Sequence, residues 1–151
     1  MIFNKLYFNI IATIVLIGFF SCKEELVSTG NPVPSIQFVS ISSTKLKQFT
    51  DSLVITLKYQ DGDGDLGDIS ADSFSIYVRD IRLKKPDYFH IFPLSPIGHK
   101  ISIEGLLNLK VKNIFLLSIS PSETTKFEIK LKDRAKNWSN TIFTPNIEIL
   151  P

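Results

Sequence analysis

Apolar and polar residues alternate along several short segments of the chain. Residues 126–132 (KFEIKLK) show this most clearly, and residues 73–80 place Phe74, Ile76 and Val78 on one side. Strict alternation predicts a β-strand that buries one face and exposes the other to water. Six segments carry this pattern, at residues 35–42, 52–59, 73–80, 107–112, 126–132 and 142–149.

The number and spacing of these segments indicate the fold class. Two weaker segments, residues 88–92 and 100–103, bring the expected number of strands to about seven. Short strands separated by turn residues predict an all-β fold, here an immunoglobulin-like antiparallel β-sandwich of about seven strands. A barrel of the same strands is the alternative. Pro145 interrupts the last segment and predicts an edge strand, and residues 113–120 fit either a buried strand or a short helix.

Composition and charge agree with a small β domain. The chain has 12 Phe and 4 Tyr, which suit half-buried strands. Only Lys5 among the 17 basic residues lies within residues 1–21, so a mature chain would carry 16 basic and 15 acidic residues. This balance gives no electrostatic case for a nucleic-acid partner.

The first 21 residues have the character of a secretory signal peptide. Lys5 precedes the apolar stretch 10–20, and the small residue Ser21 precedes Cys22. The uncharged stretch is shorter than the roughly 20 residues that span a bilayer, although an uncleaved membrane anchor is the alternative. We therefore expect cleavage before Cys22, a tether over residues 22–34 and a β-sandwich domain over residues 35–151.

The residues around Cys22 resemble sorting signals of bacterial lipoproteins. Residues 19–22 (FFSC) resemble a lipobox, with Phe19 in place of the usual Leu, and this implies a diacylglycerol on Cys22. Residues 23–25 (KEE) resemble the surface-export signal of Bacteroidota lipoproteins. The resemblance implies a lipid-anchored protein of the outer membrane that faces the cell exterior. A solvated linker is the alternative for residues 23–25.

Five carboxylates follow the second predicted strand within 12 residues. Alternating glycines let the backbone of this acidic loop curl, so that the side chains can converge. Calcium takes six to eight oxygen ligands, and the loop can supply both carboxylate and backbone oxygens. We therefore predict a Ca²⁺ site, with an ordinary polar turn as the alternative. The predicted ligands of the loop are Asp61, Asp63, Asp65, Asp68 and Asp72.

The Asp-x-Asp-x-Asp spacing resembles the beginning of an EF-hand loop. Leu66 stands where that loop requires Gly, Gly67 arrives one residue late, and Asp72 replaces the final Glu. Predicted strands, and not helices, flank the segment. The sequence thus favours a calcium loop framed by strands over a true EF-hand.

Residues 133–140 (DRAKNWSN) join the last two predicted strands. They resemble the Asp-x-Ala-Gly-Asn-x-Ser turn near the end of many bacterial immunoglobulin-like domains, with Lys136 in place of Gly. In such a sandwich this turn lies at the same end as the acidic loop. Asp133 and Asn137 are therefore candidates to complete the calcium site. The alternative is that Asp133 only caps its own turn.

Together these motifs resemble a family of uncharacterised Bacteroidota lipoproteins, which implies a fold and a location but no activity. No nucleophile elbow or phosphate loop is present in the sequence, and we predict no enzyme. The expected function is a calcium-stabilised binding or adhesion module with an envelope protein or glycan as partner. A structural spacer and, less expected, a glycan-active enzyme are the alternatives. Tyr77, Tyr88 and Trp138 are candidates for a sugar-binding face, or are ordinary core and edge aromatics.

Overall fold

The computed structural model describes residues 30–151, and this part of the chain forms ten strands and no helix. The predicted signal peptide, Cys22 and most of the tether lie outside the described residues. No helix within residues 30–151 has the length and hydropathy needed to cross a membrane. The strands are β1 (Ser35–Ile41), β2 (Lys45–Lys47), β3 (Leu53–Asp61), β4 (Ile76–Asp80), β5 (Asp87–Phe89), β6 (Ile103–Val111), β7 (Glu123–Thr125), β8 (Phe127–Leu131), β9 (Ile142–Phe143) and β10 (Ile147–Leu150).

The strand order is that of an immunoglobulin-like sandwich. One sheet has the order β1-β3-β6, a second has the order β5-β4-β8-β9, and β2-β10-β7 form a smaller third sheet. Only Lys126 separates β7 from β8, and a short break at Pro145 separates β9 from β10. We count β1 and β2 as one strand, and likewise β7 and β8, and β9 and β10. The structure then has seven strands. The first, second and fifth then face the third, fourth, sixth and seventh, which confirms the predicted architecture.

The antiparallel prediction is wrong for one pair, because β2 runs parallel to β10. A register shift between Phe38 and Ser40 interrupts the pairing of β1 with β3. The chain then leaves that sheet after Ile41 and reaches the last strand at Lys45. The first strand therefore contributes to both sides of the sandwich, and its second half lies beside a strand of the same direction.

The core lies between the two larger sheets and follows the predicted alternation. Ile129 and Leu131 of β8 are fully buried, and they pair with Val78 and Ile76 of β4. Ile55 and Leu57 of β3 form the opposite side of the core, and β10 closes it with Ile147 and Ile149. Among the described residues β5 and β6 do not pair with each other. The structure is therefore an open sandwich and not the alternative barrel.

Three local expectations need correction. Residues 73–75 lie outside β4, and Ser75 is buried next to buried Ile76, so the alternation changes phase and Phe74 points to solvent. Residues 113–120 form neither a strand nor a helix. The edge position predicted from Pro145 holds for β9 but not for β10, which lies between β2 and β7.

Arg82 joins elements that are distant in sequence. Its guanidinium contacts the Asp80 carboxylate at 2.6 Å and the Glu123 carboxylate at 2.5 Å. Glu123 also accepts hydrogen bonds from the Leu117 amide at 3.0 Å and from the Ser118 hydroxyl at 2.7 Å. The backbone amides of Leu117 and Ser118, which lie in the irregular segment 113–120, thus donate to a side chain and not to a sheet. Hydrogen bonds from Ser118 and Leu117, with Arg82, lower the pKa of Glu123 from 4.5 to about 2.

The acid stability of the domain tests this cluster. A carboxyl group whose pKa falls on folding stabilises the protein above its unfolded pKa, and the contribution disappears as the pH falls through the folded value. We expect part of the stability to be lost between pH 4.5 and 2, and a Glu123→Gln variant to lose less over that interval. Urea midpoints measured from pH 5 to pH 3 check this, and parallel pH profiles for the two proteins would contradict it.

Candidate metal site at the end of β3

Three aspartates converge where β3 ends and the acidic loop begins. Asp61 is the last residue of β3 and is only 2% exposed, while Asp63 and Asp65 in the loop are half-buried. Each offers one carboxylate oxygen, and these three oxygens lie within 4.8 Å of one another. The sequence-predicted convergence of these three side chains is therefore present in the structure.

One oxygen of each carboxylate, here called its inner oxygen, accepts no hydrogen bond from the described residues. The Oδ1 atoms of Asp61, Asp63 and Asp65 are all buried and without a donor. The outer oxygens differ, because Oδ2 of Asp61 accepts from the Leu66 amide at 3.1 Å and Oδ2 of Asp65 accepts from the Ala135 amide at 2.9 Å. A buried carboxylate oxygen without a partner is costly. A proton, an ordered water or a cation at the cluster would supply the missing partner of these oxygens.

Electrostatics within the cluster oppose ionisation. Burial, together with the negative charges of Asp63 and Asp65, raises the pKa of Asp61 from 3.8 to about 6. Burial also raises the pKa of Asp65, with a second contribution from the charge of Asp133. Like charges at short range destabilise one another. A divalent cation would remove this penalty by offsetting the accumulated negative charge.

Two glycines between the aspartates allow the tight course of the loop. Gly64 has φ of +69°, and a Cβ atom there would lie 2.1 Å from the carbonyl oxygen of Ile101. Gly62 donates its amide to the Asn31 carbonyl at 2.9 Å, and a Cβ atom there would lie 2.3 Å from the same oxygen. Backbone therefore approaches backbone at both positions, and only glycine fits.

Asp68 and Asp72 do not join the cluster. The Leu66 side chain is fully buried in the core, and the chain turns away at Gly67, where φ is +81°. Asp68 then donates its amide to the Ile91 carbonyl, and its carboxylate accepts from the Ser70 amide at 3.0 Å. These local hydrogen bonds from Ser70 and Ser73 lower the pKa of Asp68. Asp72 is exposed, so the structure brings together three of the five loop aspartates.

Asp133 and Asn137 lie beside the cluster but are not part of it. Asp133 is 3% exposed, and it accepts from the Asn137 amide at 2.7 Å and from the Asn137 side-chain amide at 2.9 Å. Both carboxylate oxygens of Asp133 thus accept hydrogen bonds within the turn. This is the alternative in which Asp133 caps its own turn. Lys136 has φ of +76°, so it adopts the conformation for which the resembled turn has glycine.

The turn nevertheless holds the acidic loop in place. Arg134 donates its amide to the Asp65 carbonyl at 3.1 Å and its guanidinium to the Gly67 carbonyl at 2.8 Å. Leu66 and Asp133 also form an isolated β-bridge. The two loops therefore lie at the same end of the sandwich, as the strand order requires.

Other residues that support the loop carried no signal in the sequence. The Ser95 hydroxyl donates to the Gly64 carbonyl, and a ring nitrogen of His90 lies 2.8 Å from the Asp68 carbonyl oxygen. Both come from the connection between β5 and β6, which has no regular spacing to the acidic loop. Single polar residues of this kind become recognisable only when the fold brings them to the loop.

Comparisons with known proteins do not assign the chain to a family. No family model matches it, and no curated protein matches it. Among solved structures it is similar to a Niemann-Pick type C2 protein from the Japanese carpenter ant, with 11% sequence identity and a TM-score of 0.44. The alignment covers 82% of this chain and 97% of that chain. A likeness this distant carries no argument about function.

Two glycine substitutions test the packing of the acidic loop. Gly64 and Gly98 both have positive φ, but a Cβ atom at Gly98 would meet nothing within 4 Å. Gly98→Ala should cost only the conformational strain of about 1–2 kcal/mol. Gly64→Ala adds a backbone clash, and overpacking costs about 1–3 kcal/mol more. Urea unfolding of both variants measures the difference, and equal losses would contradict the described loop.

Proposed function

We propose that this chain is a calcium-stabilised, immunoglobulin-like binding or adhesion module of a lipid-anchored outer-membrane protein that faces the cell exterior. The observation that carries the calcium part is the convergence of three aspartates, each of which has one buried carboxylate oxygen without a hydrogen-bond donor. The anchor part is supported by the sequence around Cys22 alone. A structural spacer with no ligand of its own is the second candidate.

The chemistry of the donors favours calcium among common metal ions. All three side chains offer hard carboxylate oxygens, which suit Ca²⁺ and Mg²⁺ better than Zn²⁺ or Cu²⁺. The His90 imidazole contacts the Asp68 carbonyl and does not join the three carboxylates. The loop is tightly curved, with positive φ at Gly64 and Gly67, and Ca²⁺ tolerates irregular geometry while Mg²⁺ demands a near-ideal octahedron.

The ion would join three parts of the sandwich. Asp61 belongs to β3, Asp63 and Asp65 belong to the acidic loop, and Asp65 accepts two backbone hydrogen bonds from the turn after β8. Neutralising the three charges therefore stabilises the contact between the loop and the turn. A shared environment raises the pKa of both Asp61 and Asp65. A catalytic acid and base would instead have their pKa values driven apart, so we propose a structural ion and not a catalytic one.

A thermal melt with calcium and with chelator tests the metal. A ligand that binds only the folded state at 100 times its dissociation constant adds about 2.7 kcal/mol to the free energy of unfolding. We expect millimolar calcium to raise the midpoint of the mature chain by several degrees. The Asp63→Asn variant should lose this response, because it removes one of the converging charges.

Asp72→Asn is the matched control, since Asp72 lies in the same loop but outside the cluster. It should respond to calcium as the unaltered chain does. An unchanged melting temperature of the unaltered chain at millimolar calcium would exclude the proposed ion. A response that survives Asp63→Asn would place the ion elsewhere.

Substitution of Cys22 tests the anchor independently. If the thiol carries lipid, the chain should be found in the membrane fraction of a Bacteroidota host, and Cys22→Ser should appear as an unprocessed or released form. Fractionation with globomycin treatment of the unaltered chain measures this. Identical fractionation of the two proteins would refute the anchor and leave the calcium proposal intact.

A further inference from the structure

Four aromatic side chains form a continuous stripe on the outer face of the β5-β4-β8-β9 sheet. Adjacent ring centroids are 5.8 Å apart for Phe74 and Tyr88, 5.9 Å for Tyr88 and Tyr77, and 6.3 Å for Tyr77 and Trp138. Phe74, Tyr88 and Trp138 remain 48%, 49% and 40% exposed. We call these four residues the aromatic stripe.

The strand register explains why the rings form a line. Tyr77 of β4 pairs with Tyr88 of β5 on one side and with Lys130 of β8 on the other. Trp138 reaches the same row because it forms a bridge with Lys132 at the end of β8. The stripe therefore crosses from β5 over β4 to the turn after β8, and its rings come from three segments of the chain.

Two lysines give the stripe a positive charge. The Nζ atom of Lys130 lies 4.4 Å from the centre of the Tyr77 ring and 5.8 Å from that of Trp138, and Nζ of Lys132 lies 5.3 Å from that of Trp138. Lys130 has only a long contact of 3.9 Å with Glu128, whose other oxygen pairs with Arg79 at 2.6 Å. Within residues 30–151, Lys132 forms no ion pair. Both ammonium groups are thus available to an anionic partner.

From this arrangement we propose that the aromatic stripe binds a linear acidic polysaccharide. Exposed ring faces, which need not be parallel, would contact the C–H groups of individual sugars, and Lys130 and Lys132 would pair with the carboxylates of the sugars. The inference rests on the proposed binding role of the domain, whose ligand class it names. It does not depend on the calcium ion.

The shape of the stripe disfavours a folded protein as partner. A stable protein interface buries about 800 Å² on each side around a compact, desolvated centre. Here the rings contact one another in succession, from Phe74 through Tyr88 and Tyr77 to Trp138. An extended polymer can contact successive rings in turn without a compact, desolvated centre.

The ring orientations disfavour single-stranded nucleic acid. Proteins of that class offer aromatic faces on which successive bases stack. Tyr77 is nearly perpendicular to both of its neighbours, at 75° to Tyr88 and 86° to Trp138. Lys130 also covers one face of Tyr77. Consecutive bases would therefore find no series of parallel, open faces.

Titration of the mature chain with a galacturonate oligomer tests this inference by calorimetry. We expect saturable binding that weakens with salt, because ammonium–carboxylate pairs between exposed groups are screened. Trp138→Ala and the double variant Lys130→Gln/Lys132→Gln should each weaken binding at least tenfold. Phe49→Ala is the matched control, since Phe49 is exposed and aromatic but stacks on Phe115 outside the stripe.

The remaining outcomes overturn the inference in separate ways. Tighter binding of a thymidine oligonucleotide would indicate nucleic acid, and equal binding of a neutral glucan oligomer would remove the role of the lysines. Absence of galacturonate binding, or full binding by the folded Trp138→Ala variant, would exclude the stripe as the site. Because calorimetry is run with calcium and with chelator, a chain that is stabilised by calcium but ignores the sugar contradicts only this inference.

Discussion

Asp61 ends β3 with its carboxylate inside the protein, where water cannot solvate a negative charge. Asp63 and Asp65 bring two more carboxylates to the same place, and none of the inner oxygens receives a hydrogen bond from the described residues. The acidic loop, its glycines and the turn after β8 are all arranged around this point. A protein interior rarely retains such a cluster, because each unpaired buried oxygen costs free energy. This constraint links the fold of the domain to its proposed calcium ion.

The same constraint connects the proposed metal site with the aromatic stripe. Phe74 follows the acidic loop, and Trp138 lies in the turn that donates two backbone hydrogen bonds to Asp65. The Trp138 end of the stripe therefore belongs to the turn that contacts the acidic loop, and the Phe74 end lies in the chain that follows that loop. The binding face that we propose lies on rigid strands at its centre and on supported loops at its ends.

Local sequence was sufficient for the strands and for part of the site. Alternation placed β3, β8 and the second half of β6, because one side of each strand must face the core, but it divided β6 (Ile103–Val111) into two predicted strands. The Asp-Gly-Asp-Gly-Asp spacing predicted the convergence of Asp61, Asp63 and Asp65, since glycine alone permits that backbone. The pattern did not reveal that Leu66 enters the core and directs Asp68 away, or that both oxygens of Asp133 are used by Asn137. Those outcomes depend on tertiary contacts, as do the inward Ser75 and the exposed Phe74.

A crystal structure of the mature chain grown with calcium is the most direct test of the central claim. The account predicts one ion, identified by anomalous scattering, about 2.3–2.6 Å from an oxygen of each of Asp61, Asp63 and Asp65. An empty cluster with the three carboxylates bound to water, or an ion bound only by other residues, would contradict it.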